Sequence, residues 1–183
     1  TTAEAKNLIT TFFFQMKDIN GGKSRPQGFE KSKVSKVGVI GAGAMGQGIA
    51  YSAAKAGIQV VMKDVSLEAA ENGKAYSEKI LSKQVQRNRL SEAQKSDTLS
   101  LINPTDEDQD LEGCDLIIEA VFEDMGLKHS ITKKSETFLN KNGIMASNTS
   151  TLPITMLAEA SEKPANFIGM HFFSPVDLSL IHI

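Results

Sequence analysis

Three glycines follow one short apolar segment at a spacing suited to binding phosphate. Gly41, Gly43 and Gly46 form a G-x-G-x-x-G pattern between a strand predicted at 37–40 and the start of a predicted helix. The first glycine permits a tight turn, the second lets the backbone approach a pyrophosphate, and the third lets the helix pack closely on the strand. Backbone N–H groups at the helix N-terminus would then face the phosphates. The pattern alone is weak evidence, but its position between strand and helix predicts a dinucleotide site.

An acidic residue follows the second predicted strand, at 58–62. Asp64 lies near the spacing of roughly 20 residues at which dinucleotide-binding folds carry an acid beyond the glycines. Its carboxylate could accept hydrogen bonds from the adenosine ribose hydroxyls and would repel the additional phosphate of NADP. No Arg follows it, so the pattern favours NAD over NADP. The alternative is a strand-end Asp that caps the next helix.

Charged side chains also follow the strand predicted at 116–121. Glu123 and Lys128 could face the cofactor, because ligands of open parallel sheets bind at the carboxyl ends of the strands. Alternatively they belong to a solvated helix N-terminus, where Glu123 would interact favourably with the helix dipole. The residues alone leave both interpretations open.

Polar residues follow the next strand, predicted at 144–146. Asn148 and Ser150 belong to the segment Ala-Ser-Asn-Thr-Ser-Thr, which supplies an amide and several hydroxyls to the same edge of the sheet. The alternative is a Ser/Thr cap on the helix that begins at Pro153.

Three further side chains have chemistry that depends on their surroundings. His171 ends the last predicted strand among aromatic residues, where it is either a buried core imidazole or a general base near neutral pH. His129 lies within a predicted helix among lysines and is expected at the surface. Cys114 is the single cysteine, which excludes an internal disulfide and a Cys-rich metal site, and we expect a small buried hydrophobic residue there.

The elements that must position these residues alternate along the chain. Such alternation of strands and helices predicts an α/β fold, a Rossmann-type doubly wound and mostly parallel sheet with right-handed crossovers. The predicted strands are 37–40, 58–62, 116–121, 144–146 and 167–172, and the predicted helices are 44–56, 67–89, 91–102, 125–139 and 154–160.

Composition limits the function further. The formal net charge of −2 argues against a nucleic-acid or anionic-membrane surface, and no apolar run approaches the roughly 20 residues of a membrane span. The chain begins with Thr1 without a cationic-then-apolar leader, so we expect a segment of a longer product.

An amphipathic helix and a linker precede the predicted sheet. Apolar residues recur at helical spacing over 2–19, and the Gly- and Pro-rich stretch 20–28 is typical of a linker. The helix is expected to pack on a neighbouring domain rather than lie on a membrane, because its polar face is weakly basic. Residues 1–32 therefore form one predicted region and residues 33–177 the predicted nucleotide-binding domain.

Four sequence segments occur in one order at one spacing. They are Val-Gly-Val-Ile-Gly-Ala-Gly-Ala-Met-Gly-Gln-Gly-Ile-Ala, Ile-Glu-Ala-Val-Phe-Glu, Ala-Ser-Asn-Thr-Ser and Gly-Met-His-Phe-Phe-Ser-Pro-Val. Together they resemble the NAD-binding domain of (3S)-3-hydroxyacyl-CoA dehydrogenase. The preceding helix and linker resemble the joint of multifunctional β-oxidation enzymes, in which an enoyl-CoA hydratase domain comes first.

The resemblance implies a role for individual residues. His171 would be the general base toward the substrate 3-hydroxyl, Ser150 would hydrogen-bond the substrate oxygen near the nicotinamide, and Asn148 would help to position the substrate. The cofactor NAD would be held by Gly41, Gly43, Met45, Gly46, Asp64, Val121, Phe122, Glu123, Lys128, Ser150 and Ser174.

The resemblance also implies partners. The substrate would be an acyl-CoA, and the parent protein would be a homo-oligomer or part of a β-oxidation complex with a thiolase. Because no leader is recognised, we expect a bacterial cytoplasm, with an organellar matrix as the alternative. Two other functions stay open: a non-catalytic NAD(H)-binding module, and a related dehydrogenase of another hydroxyl substrate.

The C-terminal residues depart from the family pattern. A Glu expected twelve residues after His171, which would orient the imidazole, is replaced by Ile183, and agreement stops after Asp177. The tail Leu-Ser-Leu-Ile-His-Ile, which contains His182, also equals the translation of a common transposase adapter. We therefore expect residues 178–183 to be non-native.

Overall fold

The computed structural model describes residues 2–23, 25, 27–28 and 33–176. Within these residues the chain divides into an N-terminal unit that ends at Lys33 and a larger unit that begins at Val34. The predicted tail 178–183, with Asp177, and linker residues 29–32 lie outside the described residues. No helix of the described part is both long and apolar enough to cross a membrane.

The N-terminal unit is helical, as the apolar spacing predicts. Helix α1 (Ala3–Ile9) continues through a π-helical segment (Thr10–Gln15) into α2 (Met16–Asn20). The Thr2 side chain accepts a hydrogen bond from the Ala5 N–H and so caps α1.

The larger unit contains a six-stranded sheet in which every strand pair is parallel. The strand order is β3-β2-β1-β4-β5-β6, which is the order of a doubly wound dinucleotide-binding sheet. This confirms the predicted fold class. The strands are β1 (Lys36–Ile40), β2 (Gln59–Lys63), β3 (Ile102–Thr105), β4 (Cys114–Glu119), β5 (Leu139–Ser147) and β6 (Phe167–Gly169).

Helices connect the parallel strands. They are α3 (Ala44–Lys55), α4 (Leu67–Gln86), α5 (Glu92–Ser100), α6 (Met125–Ser135) and α7 (Ile154–Ala158), with short 3₁₀ turns at Asp108–Leu111, Glu136–Phe138 and Pro164–Asn166. Ser91 and Gln94 form a capping box that starts α5.

The core lies on both faces of the sheet, which explains the nearly continuous apolar runs of the inner strands. In β1, Val37 and Val39 pack in one cluster with Ile49 and Ala50 of α3. Ile40 packs on the other face, in the second cluster. Alternate residues of one strand therefore bury apolar surface in two separate layers.

Several predicted boundaries were wrong. The helix predicted over 91–102 ends at Ser100, and Ile102–Thr105 forms the unpredicted edge strand β3, whose Asn and Pro are poor strand formers. The helix predicted over 125–139 ends at Ser135. Strand β5 begins at Leu139, five residues before the predicted start at 144. The first residues of β5 are polar and do not indicate a strand, but they extend the strand because they lie alongside β4.

Candidate functional site

The glycine-rich turn joins β1 to α3. Gly41 has a φ of +95° and donates its N–H to the Lys63 carbonyl at 2.8 Å. A Cβ at Gly46 would overlap the Gly41 carbonyl oxygen, whereas the space beside Gly43 is open. The turn therefore needs glycine for a left-handed conformation and for close helix packing, and it leaves room where a phosphate would approach.

Asp64 connects the end of β2 to this turn. One carboxylate oxygen accepts the Ala42 N–H at 2.6 Å, and the other accepts the Val65 N–H at 2.7 Å. The acid thus lies beside the glycine-rich turn, at the place where a dinucleotide-binding fold receives the ribose.

A groove of about 680 Å³ opens at the carboxyl ends of β1 and β4. This is the point at which the strand order reverses, the usual ligand position in such sheets. Its walls include Gly41, Gly43, Ala44, Met45, Lys63, Asp64, Val65, Asp108, Ala120, Val121, Phe122, Leu127, Ser130, Ile131 and Lys134. The Phe122 side chain is 86% exposed.

A buried ion pair lies at the end of β4. The Lys128 ammonium, whose side chain is 1% exposed, contacts both carboxylate oxygens of fully buried Glu119 at 3.0 and 2.8 Å. Glu119 also accepts the Val121 N–H and the Ser147 hydroxyl. Glu119 was not among the predicted site residues, although a carboxylate inside an apolar strand is the signal that would have identified it.

Glu123 holds the turn that follows β5. Its carboxylate accepts the Thr149 hydroxyl at 2.6 Å, the Ser150 N–H at 2.7 Å and the Thr151 N–H at 2.9 Å. The Lys128 ammonium lies 3.4 Å away. Partial burial raises the pKa of Glu123, but these hydrogen bonds and the lysine charge outweigh it and hold the pKa at about 2.

His171 lies just beyond β6 with an exposed ring. Its Nδ1 is 3.1 Å from the Thr149 carbonyl oxygen, and its ring meets Phe173 edge to face at 4.9 Å between centroids. Because a carbonyl oxygen only accepts, Nδ1 carries the proton in this contact, and Nε2 of the neutral ring has the free electron pair. The basic nitrogen of His171 is therefore assigned by its neighbour.

Asn148 links the ends of three neighbouring strands. Its N–H donates to the Glu119 carbonyl oxygen at 2.9 Å, and its Oδ1 accepts the Phe172 N–H at 2.9 Å. Through its backbone and its side chain, Asn148 thus connects the segment that carries His171 to the ends of β4 and β5.

The other predicted residues divide into three groups. Met45, Val121 and Phe122 line the groove. Ser150 and Ser174 are exposed: Ser150 follows Thr149, whose carbonyl contacts the His171 ring, and Ser174 lies three residues after His171. Glu123 and Lys128 instead have their charges engaged by the turn after β5 and by Glu119. Their roles toward a cofactor stay predictions.

Two lysines and an aspartate form a charged cluster on one groove wall. Lys63 lies 3.3 Å from one carboxylate oxygen of Asp108, and Lys134 pairs with the other. Partial burial raises the pKa of Asp108. Hydrogen bonds from Lys134 and Lys63, together with their positive charges, outweigh this effect, so the pKa lies below its ordinary value. The sequence did not indicate this cluster, since its members come from three distant segments.

Two other expectations concern single residues. Cys114 is fully buried in the second core cluster, as expected. His129 is half-buried, and its Nε2 lies 2.9 Å from the Met156 carbonyl oxygen. Within the described ranges, no group of three or more His, Cys, Asp or Glu side chains could hold a metal ion.

The chain matches a protein-family model described as the NAD binding domain of 3-hydroxyacyl-CoA dehydrogenase, over residues 36–181. It is 46% identical over 143 residues to a fatty acid oxidation complex subunit alpha from Psychrobacter sp., covering 78% of this chain and 20% of that protein. The subunit alpha of Psychrobacter arcticus is 41% identical over 176 residues, covering 96% of this chain. This chain spans 24% of the length of that second relative.

A solved structure has the same architecture. The (S)-3-hydroxybutyryl-CoA dehydrogenase from Ralstonia eutropha superposes with a TM-score of 0.75 at 40% sequence identity. The superposition covers 79% of this chain and 51% of that one. The two proteins are therefore similar both in fold and in amino-acid sequence over the superposed part of this chain.

Proposed function

Because this chain belongs to the family of NAD-binding domains of 3-hydroxyacyl-CoA dehydrogenase, whose cofactor is NAD, we propose that the protein oxidises the 3-hydroxyl of a (3S)-3-hydroxyacyl-CoA to a ketone. The observation that carries the proposal is the placement of His171. Its Nδ1 donates to the Thr149 carbonyl, so Nε2 is left free to accept a proton just beyond the carboxyl end of β6.

The groove fits a dinucleotide. The open space beside Gly43 and the N-terminus of α3 suit a pyrophosphate, and Asp64 suits a ribose with free hydroxyls. The apolar side chains of Met45, Val121 and Phe122 suit flat rings. When bound, NAD would supply the acceptor for the two electrons and the hydrogen that leave the substrate carbon.

The chain's own residues would then position and deprotonate the substrate. His171 Nε2 would take the hydroxyl proton, while Asn148 holds the adjoining backbone through Phe172. The Ser150 hydroxyl would hydrogen-bond the substrate oxygen. The Glu123 carboxylate accepts the backbone N–H of Ser150, and the residue is exposed. The network under the turn would thus keep the base and the hydroxyl in a defined relation.

The parent protein is proposed to be a multifunctional β-oxidation subunit. The match to the Psychrobacter arcticus alpha subunit covers 96% of this chain, so it includes most of the N-terminal helix as well as the sheet. An acyl-CoA substrate, a thiolase partner or homo-oligomer, and a bacterial cytoplasm are parts of the same proposal.

Replacing the proposed base tests the proposal. In the full-length protein, His171→Ala should leave the affinity for NADH within about twofold and reduce turnover of acetoacetyl-CoA with NADH by roughly 10²- to 10⁴-fold. The matched control is His129→Ala, which removes a histidine from α6 and should retain turnover.

The two readouts separate the alternatives. Nearly full turnover in His171→Ala would contradict the assignment of the base. Tight NADH binding without any turnover in the unmodified protein would instead favour a non-catalytic NAD(H)-binding module. Turnover confined to a hydroxy acid without CoA would favour a dehydrogenase of another substrate.

A further inference from the structure

The charged cluster on the groove wall has no role in the proposed reaction. Asp108 lies between two cations, with Lys63 at 3.3 Å from one oxygen and Lys134 on the other. The side chains of Lys63 and Asp108 are 15% and 23% exposed, whereas that of Lys134 is 64% exposed and is restrained by its ion pair with Asp108. All three side chains line the same groove as Asp64. A partly enclosed cluster beside a ligand groove can select among ligands by charge.

The cluster adjoins the acid that would bind the ribose. Lys63 directly precedes Asp64, and its ammonium lies 3.5 Å from the Asp64 carbonyl oxygen. Lys134 reaches the cluster from α6, across the point where the strand order reverses. The two ammonium groups therefore lie at the adenosine end of the groove, where a 2′-phosphate would be placed.

Free lysines at this position would favour a phosphorylated ribose. Ammonium groups bind phosphate as point charges, and basic side chains near the second strand are the usual means of accepting NADP. Asp108 instead engages both, and its ionised state in this environment keeps the carboxylate available to do so. Without it the wall would gain one positive charge and release two donors.

We propose that Asp108 is a specificity-determining residue, which pairs with Lys63 and Lys134 and so withholds both ammonium groups from the 2′-phosphate of NADP(H). The inference rests on the proposed function, because it requires the groove to bind a dinucleotide. Asp64 is already expected to repel the 2′-phosphate of NADP(H). Asp108 would act in the same direction, because it pairs with the two cations that could otherwise offset this repulsion.

Titration of the full-length protein with NADH and NADPH, followed by nicotinamide fluorescence, tests the inference. Asp108→Asn should raise the affinity for NADPH by about 5- to 10-fold and change that for NADH by less than about twofold. Adding Lys63→Met to Asp108→Asn should remove most of the gain. Asp110→Asn is the matched control, because it removes one charge from the same 3₁₀ turn outside the groove wall and should leave both affinities unchanged.

A third variant tests whether the lysines cause the gain. Asp108→Asn/Lys63→Met/Lys134→Met should bind NADPH as weakly as the unmodified protein does, because no ammonium group of the cluster is left to meet the 2′-phosphate. An unchanged NADPH-to-NADH affinity ratio in folded Asp108→Asn, or a gain that persists in the triple variant, would overturn the inference. Failure of the unmodified protein to bind NADH would instead count against the proposed function.

Discussion

At the scale of single residues, Glu123 shows how one carboxylate can organise a site. It accepts hydrogen bonds from three consecutive residues of the turn after β5 and also lies near Lys128. Burial disfavours its charge, but these donors stabilise the ionised form more strongly. A residue predicted to contact the cofactor therefore also determines the conformation of the turn that carries Ser150.

The lowered pKa of Glu123 predicts a pH-dependent contribution to stability. Because the folded-state pKa of about 2 is below the ordinary value of 4.5, the ionised carboxylate stabilises the fold above pH 4.5. The contribution is lost as the pH falls from 4.5 through 2. Glu123→Gln should lower the free energy of unfolding by roughly 1 kcal/mol near neutral pH, a value reduced for solvent screening of a partly exposed group.

Urea unfolding at several pH values checks this prediction. The stability difference between the unmodified chain and Glu123→Gln should shrink steadily below pH 4.5. Glu159→Gln is the control, since Glu159 is exposed at the end of α7 and should show no such trend. A difference that stays constant down to acidic pH would show that ionisation of Glu123 is not its source.

At the scale of elements, α4 packs closely against the glycine-rich turn. A Cβ at Gly73 would lie 2.7 Å from the Ala42 Cβ and 2.8 Å from the Met62 sulfur. Ala42 in turn donates its N–H to Asp64. The position of a helix outside the groove is thus coupled to the backbone that would face the pyrophosphate.

Gly73→Ala separates helix propensity from this packing. Propensity alone predicts stabilisation by up to about 1 kcal/mol, whereas overpacking predicts destabilisation by roughly 1–3 kcal/mol. We expect overpacking to dominate, because two of the contacts are with the turn and with a core side chain. The affinity for NADH should also fall, which fluorescence titration would measure alongside thermal unfolding.

Gly126→Ala is the matched control within α6. There an added Cβ would meet only the Asp124 carboxylate, at 3.4 Å, so the substitution should be neutral or stabilising. If Gly73→Ala were as stable as Gly126→Ala and bound NADH normally, the coupling between α4 and the turn would be refuted.

At the scale of the whole molecule, the two core layers cover both faces of the sheet. Cys114 belongs to the second layer with Leu111, Ile117 and Met145, and none of its surface is exposed. Burial raises the pKa of its thiol to about 11. Since this is the only cysteine of the chain, its reactivity reports on opening of that layer.

Thiol labelling with a disulfide reagent near pH 8 should therefore be slow. We expect the native chain to react at least about 100-fold more slowly than the urea-unfolded chain, because the thiol is both buried and protonated. NADH should slow the reaction further if it stabilises the folded state. Rapid labelling without urea would indicate that this layer opens locally.

The sequence alone determined the properties that depend on local order. Apolar periodicity predicted the alternating strands and helices, and the spacing of Gly41, Gly43 and Gly46 before Asp64 predicted the turn and its acid. Such features are encoded within one strand, one turn and one helix, so neighbouring residues suffice to specify them. The edge strand β3 was missed because its pairing with β2, rather than its own residues, makes it a strand.

Which polar side chains contact one another depends on how the chain folds in three dimensions. Glu119 pairs with Lys128, Glu123 holds the turn after β5, and Asp108 joins Lys63 to Lys134. These contacts form because parallel strands bring their carboxyl ends to one edge of the sheet while the connecting helices lie between them. Their partners are distant along the chain, and the balance between desolvation and pairing that sets their charges exists only in the folded molecule.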